Sequence, residues 1–188
     1  GTSLVAQYIS SCGIFIGERL IDGGIVGEGS RGGHHEDKDF VSLHQEILSK
    51  KKIPLFFKDA SDYSFTFSDR EKNKARQLLS SRKQIEQWGW KDPRTTLFLD
   101  EWSGIIEDLT IFFVFRSPSY VVDSLIRRGK DKLIKKQPIL ALWSWKYYNQ
   151  KILDYCLRNN KNTVLIEIDC FIHNHRQIVE TLKKSHSF

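Results

Sequence analysis

The sequence predicts an α/β domain: a three-layer α/β/α fold around a central parallel sheet. Two observations lead there. The runs "LTIFFVF" (109–115) and "TVLIEID" (163–169) are continuous β-branched and aromatic stretches, the mark of strands covered on both faces. Between and before them lie amphipathic stretches at helical spacing, and strands alternating with helices imply parallel pairing with helices on both sides. A chain of 188 residues, 40% hydrophobic and 28% charged, suits one domain spanning 1–188 with a substantial core.

The elements follow in order. "SLVAQYISSCG" (3–13) predicts a helix with Ser3 as N-cap, Leu4, Val5, Tyr8 and Ile9 on its apolar face, and Gly13 at its end. Asp22 to Asp37 holds six of the 12 glycines and predicts a mobile loop. "DFVSLHQEILSKK" predicts an amphipathic helix carrying Phe40, Leu43, Ile47 and Leu48 on one face. Ser68 and Glu71 stand at capping-box spacing before a charged, solvated helix. "TTLFLDEWSGII" predicts one further helix, Pro118 starts another, "PILALWSWKYYNQKILDYCLRNN" a long one, and "HRQIVETLKKS" the last.

Composition narrows the chemistry. Lys and Arg total 29 against 23 Asp and Glu, a net charge of +6, which favours a polyanionic partner such as a nucleotide, a nucleic acid or a sulfated sugar. The basic residues are scattered, so a small phosphate ligand fits better than a nucleic-acid groove, and no nucleic-acid partner is expected. Arg127, Arg128, Lys130 and Lys132 form a solvated basic face. Cys12, Cys156 and Cys170 show no CxxC spacing and suggest a reducing, cytoplasmic compartment. No apolar run is long enough to span a membrane. His173 and His175 lack a third ligand, so no metal site is expected. Trp143, Trp145, Tyr147 and Tyr148 on the long helix are expected in the core, with one of them lining an acceptor pocket. The chain has no Met and opens on Gly1 directly before a helix, so a first strand and loop are expected upstream.

In a parallel sheet, ligands meet the carboxyl ends of strands, where loops enter helix N-termini. Three such places are readable. Gly1-Thr2-Ser3 offers backbone N–H groups, two hydroxyls and a helix dipole to an anion, or merely caps the helix. Arg116 ends the first buried strand, and Ser124 follows eight residues later, in the second turn of the next helix. Together they can clamp a phosphate; alternatively Arg116 pairs with a carboxylate and Ser124 is neutral surface. Lys91 in "WGWKDPR" stands beside a helix start and can neutralise a transferring group, or can form a surface pair with Asp92.

The combination of "GTS", "KDPR" and Arg-Ser-Pro with Ser124 resembles the sulfotransferases that use 3′-phosphoadenosine 5′-phosphosulfate (PAPS), above all their bacterial members and the tyrosylprotein branch. The resemblance runs from Gly1 to about Asp169. It implies that Gly1, Thr2 and Ser3 end the 5′-phosphosulfate loop, that Arg116 and Ser124 hold the 3′-phosphate, and that Lys91 lies near the sulfuryl group. "GHHEDKDFVSLHQEIL" matches the segment that supplies the base, with Glu36 the best match and His34 and His35 its competitors. The resemblance implies a PAPS donor, no metal, and a hydroxyl acceptor on a carbohydrate, lipid headgroup or small metabolite. Two departures stand out. The basic residue that the family carries before Gly-Thr would precede Gly1, and the family's later glycine-rich 3′-phosphate loop is not in the chain. A small-molecule kinase would need a Walker lysine and a magnesium-binding acid after a strand, and neither is visible. A non-catalytic nucleotide-binding protein is the remaining alternative.

Overall fold

The structure is a computed structural model that describes residues 1–21, 34–58, 63–128, 132–159 and 162–186. Its elements run α1 (Thr2–Ser11), α2 (Lys38–Lys50), α3 (Asp69–Ser80), a 3₁₀ turn (Pro93–Phe98), α4 (Leu99–Ser103), β1 (Ile111–Phe115), α5 (Pro118–Arg128), α6 (Lys132–Lys136), α7 (Ile139–Arg158), β2 (Thr163–Glu167) and α8 (Ile168–His186). The result is a mixed α/β chain in which β1 and β2 form a two-stranded parallel sheet, Ile111 opposite Thr163 and Phe115 opposite Glu167. Parallel strands need a long crossover, and α5, α6 and α7 supply it. A single parallel bridge joins Phe15 to Trp88, with the Phe15 N–H donating to the Gln87 carbonyl and the Gly89 N–H to the Phe15 carbonyl.

Alternation along β1 sends its side chains into two clusters. Phe112 and Val114 join Val5, Ile166, Ile168 and Phe171 on the side of α1 and α8. Ile111 and Phe113 join Leu99, Ile152 and Tyr155 on the side of α4 and α7. Helices therefore cover both faces of β1. Burial is less complete than the apolar run predicts, since Phe115 is 38% and Leu165 52% exposed. The strand is also shorter than "LTIFFVF", because Leu109 and Thr110 lie outside the ladder.

The largest cluster lies away from the sheet. Phe40, Leu43, Ile47 and Leu48 of α2 pack with Phe57, Phe67, Ala75, Leu97, Phe98 and Trp102. Within it the Phe40 and Trp90 rings stack at 4.1 Å and 6°. The predicted capping box is formed: Ser68 Oγ accepts from the Glu71 N–H, and Glu71 Oε2 accepts from the Ser68 N–H at 2.8 Å.

Three predicted elements differ. Ser3 is not the N-cap of α1; Gly1 is, and the Ser3 hydroxyl reaches instead to the His34 carbonyl at 3.2 Å. "TTLFLDEWSGII" is not one helix but the 3₁₀ turn followed by five-residue α4, because Asp92 caps the turn at Arg94 N–H and Pro93 sets its first φ. The last helix begins at Ile168, seven residues before His175, because Glu167 Oε2 accepts from the Cys170 N–H at 2.6 Å and serves as its cap. At Asn174 (φ −125°) that helix is kinked, and the Asn174 amide donates back to the Cys170 carbonyl. Of the predicted glycine-rich loop, residues 22–33 lie outside the described residues, as does Lys130 of the basic face. Among the described residues no helix is long and apolar enough to cross a membrane.

Candidate functional site

Gly1, at the mouth of α1, packs against the first residue of α8: a Cβ placed there would meet Ile168 at 2.8 Å. Close approach to the sheet's carboxyl edge therefore requires glycine at this position. Ser3, in the first turn of α1, points its hydroxyl at the His34 carbonyl. That same carbonyl accepts from Lys91 Nζ at 3.0 Å, and Lys91 Nζ also donates to Glu36 Oε1 at 2.8 Å. Three segments separated by 31 and 57 residues thus meet on one backbone oxygen. The Lys91 and Glu36 side chains are each only 13% exposed, so water screens the pair weakly. The surface Lys91–Asp92 pair is not formed.

Behind this pair lies a buried relay. Asp92 accepts from the Arg94 N–H at 3.0 Å, from Arg94 Nη1 at 2.7 Å, and from His44 Nδ1 at 2.7 Å. Trp102 Nε1 donates to His44 Nε2 at 2.9 Å. An indole N–H can only donate, so Nε2 is the unprotonated nitrogen and Nδ1 carries the hydrogen that Asp92 accepts. His44 is therefore neutral, and its bond to Asp92 is a hydrogen bond from a neutral donor to a carboxylate. Burial by itself pushes the Asp92 carboxyl up; the His44 bond and the Arg94 contacts outweigh it and hold the carboxyl below its ordinary value. Arg94 Nη1 then lies 3.6 Å from Glu36 Oε2.

His35 sits between His34 and Glu36 with φ at 50°, the left-handed region that non-glycine residues seldom adopt. Its Nε2 is buried without a partner, and so is Arg94 Nε. Two unpartnered polar atoms on residues flanking one carboxylate mark a place where polar groups of a ligand can be received. Asp37, next in the chain, caps α2 through the Asp39 N–H and holds Arg82 Nη2 at 3.0 Å. Burial pushes its carboxyl up, with Arg82 opposing.

Arg116 leaves β1 at the sheet's carboxyl edge. Its guanidinium holds Asp169 of α8 through Nη2 at 2.7 Å and Nε at 3.2 Å, and lies 4.4 Å from the Tyr120 ring centroid. The carboxylate alternative foreseen for Arg116 is thus the one observed. The Asp169 bond pushes the Arg116 guanidinium up, so it stays charged. Ser124 lies four residues after Tyr120, on the same face of α5 and one turn further on. Trp145 of α7 donates its indole N–H to the Arg116 carbonyl at 3.1 Å and fixes the strand end. Of the aromatic residues expected in the core, Tyr147 and Tyr148 pack on the large cluster while Trp143 is 36% exposed. Burial pushes the Tyr148 phenol up, so it stays protonated and can only act as a donor acid or hydrogen-bond partner.

No family model, curated protein or solved structure matches this chain. The site therefore rests on its own geometry. Ser3, His34, Glu36 and Lys91 come together from three segments and Thr2 opens α1 beside them, whereas Arg116 at the end of β1 pairs with Asp169 and Ser124 lies within α5. Sequence patterns missed His44, Asp92, Arg94 and Asp169. One signal was present: His44 stands on the apolar stripe of Phe40, Leu43, Ile47 and Leu48, where an imidazole must find buried partners. Among the described residues no group of three or more His, Cys, Asp or Glu is placed to hold a metal.

Proposed function

We propose that this chain is a sulfotransferase that moves the sulfuryl group of PAPS to a hydroxyl of a carbohydrate, lipid headgroup or small metabolite. The observation that carries the proposal is the meeting of Lys91 and Glu36, 55 residues apart, at 2.8 Å beside Ser3. These are the positions that the motif resemblance assigns to the sulfuryl group, the base and the phosphosulfate loop. The proposed architecture is the P-loop NTPase-like three-layer sandwich, supported by the parallel β1–β2 pairing and by helices on both faces of β1. The three thiols are free, which suits a reducing, cytoplasmic setting.

Transfer requires the acceptor oxygen to attack sulfur while the bond from sulfur to the bridging phosphate oxygen breaks. The proton of the acceptor goes to Glu36, and the electron pair of the broken bond stays on the bridging oxygen, where Lys91 neutralises it. Glu36 and Lys91 hold each other at 2.8 Å, so neither is free until an anionic sulfuryl group draws the ammonium away. The guanidinium of Arg116 forks onto the 3′-phosphate, taking it in exchange for Asp169, and the Ser124 hydroxyl one turn beyond Tyr120 adds a donor. His34 and His35 stand beside Glu36 as competing bases.

Calorimetric titration with adenosine 3′,5′-bisphosphate, the donor product, tests the donor site. Binding is expected without added metal, and Arg116→Ala should weaken it by about tenfold to a hundredfold, the value of a lost charge-assisted contact. No heat from the wild-type chain, or an affinity unchanged by Arg116→Ala, would overturn the proposal.

A further inference from the structure

The Glu36 carboxylate is met by two cations from one short segment. Lys91 Nζ lies 2.8 Å from Oε1, and Arg94 Nη1 lies 3.6 Å from Oε2. If Lys91 turns to the donor, as the sulfotransferase proposal requires, Glu36 loses its tighter partner at the moment it must aim at the acceptor. We propose that Arg94 is the positioning residue that then keeps Glu36 in place. This inference rests on the sulfotransferase reading of the same site.

The two cations differ in freedom. Lys91 carries its charge on a flexible four-carbon stem, and its other bond is to a neutral carbonyl, that of His34. Arg94 is anchored. Asp92 holds it through both the backbone N–H and Nη1. His44 Nδ1 fixes Asp92, Trp102 fixes His44, and the His44 ring stacks on Phe98 at 5.2 Å. The side chains of Asp92 and His44 are wholly buried. A continuous line of hydrogen bonds therefore runs from the aromatic core and ends in a guanidinium at the carboxylate.

The second observation is the state of that guanidinium. Arg94 Nε is buried with no partner, and the Nη1 contact to Glu36 is long. A carboxylate released by Lys91 and drawn toward Arg94 would shorten the Nη1 contact and so tighten an ion pair that is long while Lys91 holds Glu36. The other charged or titratable groups around Glu36 do not compete for that role. Asp37 is turned to Arg82 and the start of α2, Asp92 is consumed by Arg94 and His44, and His34 and His35 share the backbone segment of Glu36 itself.

The test uses the intact chain and needs no identified acceptor, because water can stand in for it. A water oxygen attacks sulfur, the proton passes to Glu36, and PAPS becomes adenosine 3′,5′-bisphosphate and sulfate. Release of the bisphosphate from saturating PAPS is followed for the wild type, Arg94→Met and Arg94→Lys, with bisphosphate affinity measured by calorimetry. Arg94→Met should slow release by about tenfold to a hundredfold, the cost of a misplaced reacting group, while bisphosphate affinity stays within about twofold. Arg94→Lys, which keeps a cation at the carboxylate, should recover most of the rate. Wild-type release from Arg94→Met, parallel loss of rate and affinity, or no recovery with lysine would each overturn the positioning role. If the wild type binds the bisphosphate but leaves PAPS intact, the transfer reading falls and this inference falls with it.

Discussion

Replacing His44 by Phe keeps the ring and its stacking on Phe98 but removes both ring nitrogens. Asp92 then loses the 2.7 Å bond to Nδ1, and the Trp102 N–H loses its acceptor at 2.9 Å. Losing a hydrogen bond to a buried charge costs about 1.5–3 kcal/mol, and stranding a buried neutral donor about 1–3 kcal/mol. Allowing for the more apolar ring, the expected loss is about 3–5 kcal/mol, a large share of the roughly 5–15 kcal/mol that holds a domain together. The pH dependence is the sharper signature. In the wild type the Asp92 carboxyl lies below its ordinary value, so its contribution is present above the ordinary carboxylate range and is lost as pH falls. Without His44 the largest opposing influence is gone, so that contribution is diminished in the variant. The gap between wild type and variant should therefore be widest near neutral pH and should narrow as pH falls below the ordinary carboxylate range. Urea unfolding at neutral and at acid pH measures it. A loss under about 1 kcal/mol, or a gap that does not change with pH, would refute the relay as drawn.

Two more predictions concern neighbouring positions. Glu36→Gln removes the charge that competes for Lys91, so PAPS should gain on the sulfuryl-free bisphosphate by about fivefold to fiftyfold in relative affinity, while turnover is lost; competition binding reads the ratio, and an unchanged ratio would mean that Lys91 does not meet the sulfuryl group. Gly17 has φ of 122°, and a Cβ there would lie 2.5 Å from Asp37 Oδ2. Gly17→Ala should cost about 1–3 kcal/mol through backbone strain, with the Asp37 cap of α2 and its Arg82 pair displaced; a thermal melt like that of the wild type would contradict this.

Local chemistry was legible wherever it is decided by near neighbours. The capping box at Ser68 and Glu71, the Pro118 helix start and both apolar strands could be read because each depends on residues within a few positions. The N-cap of α1 and the start of α8 were harder. Ser3 faces a carbonyl 31 residues away, and Glu167 is a strand residue whose side chain turns back to cap the next helix. Asp92 looked like a surface neighbour of Lys91, because nothing nearby in the chain announces that His44 and Trp102 bury it.

The amino-acid order by itself determined the alternation of strand and helix, the placing of Arg116 at a strand's carboxyl end, and the charged residue types available to the candidate site. Periodicity and caps are short-range, so they survive in a one-dimensional reading. Only the tertiary structure decided which charge meets which: Lys91 takes Glu36 rather than Asp92, Arg116 takes Asp169, and Arg94 is tied through Asp92 and His44 to the core. Ion pairs and buried hydrogen bonds depend on distances of a few ångströms between segments 50 or so residues apart, and on how far water is excluded from them. Those distances are properties of the packed chain alone.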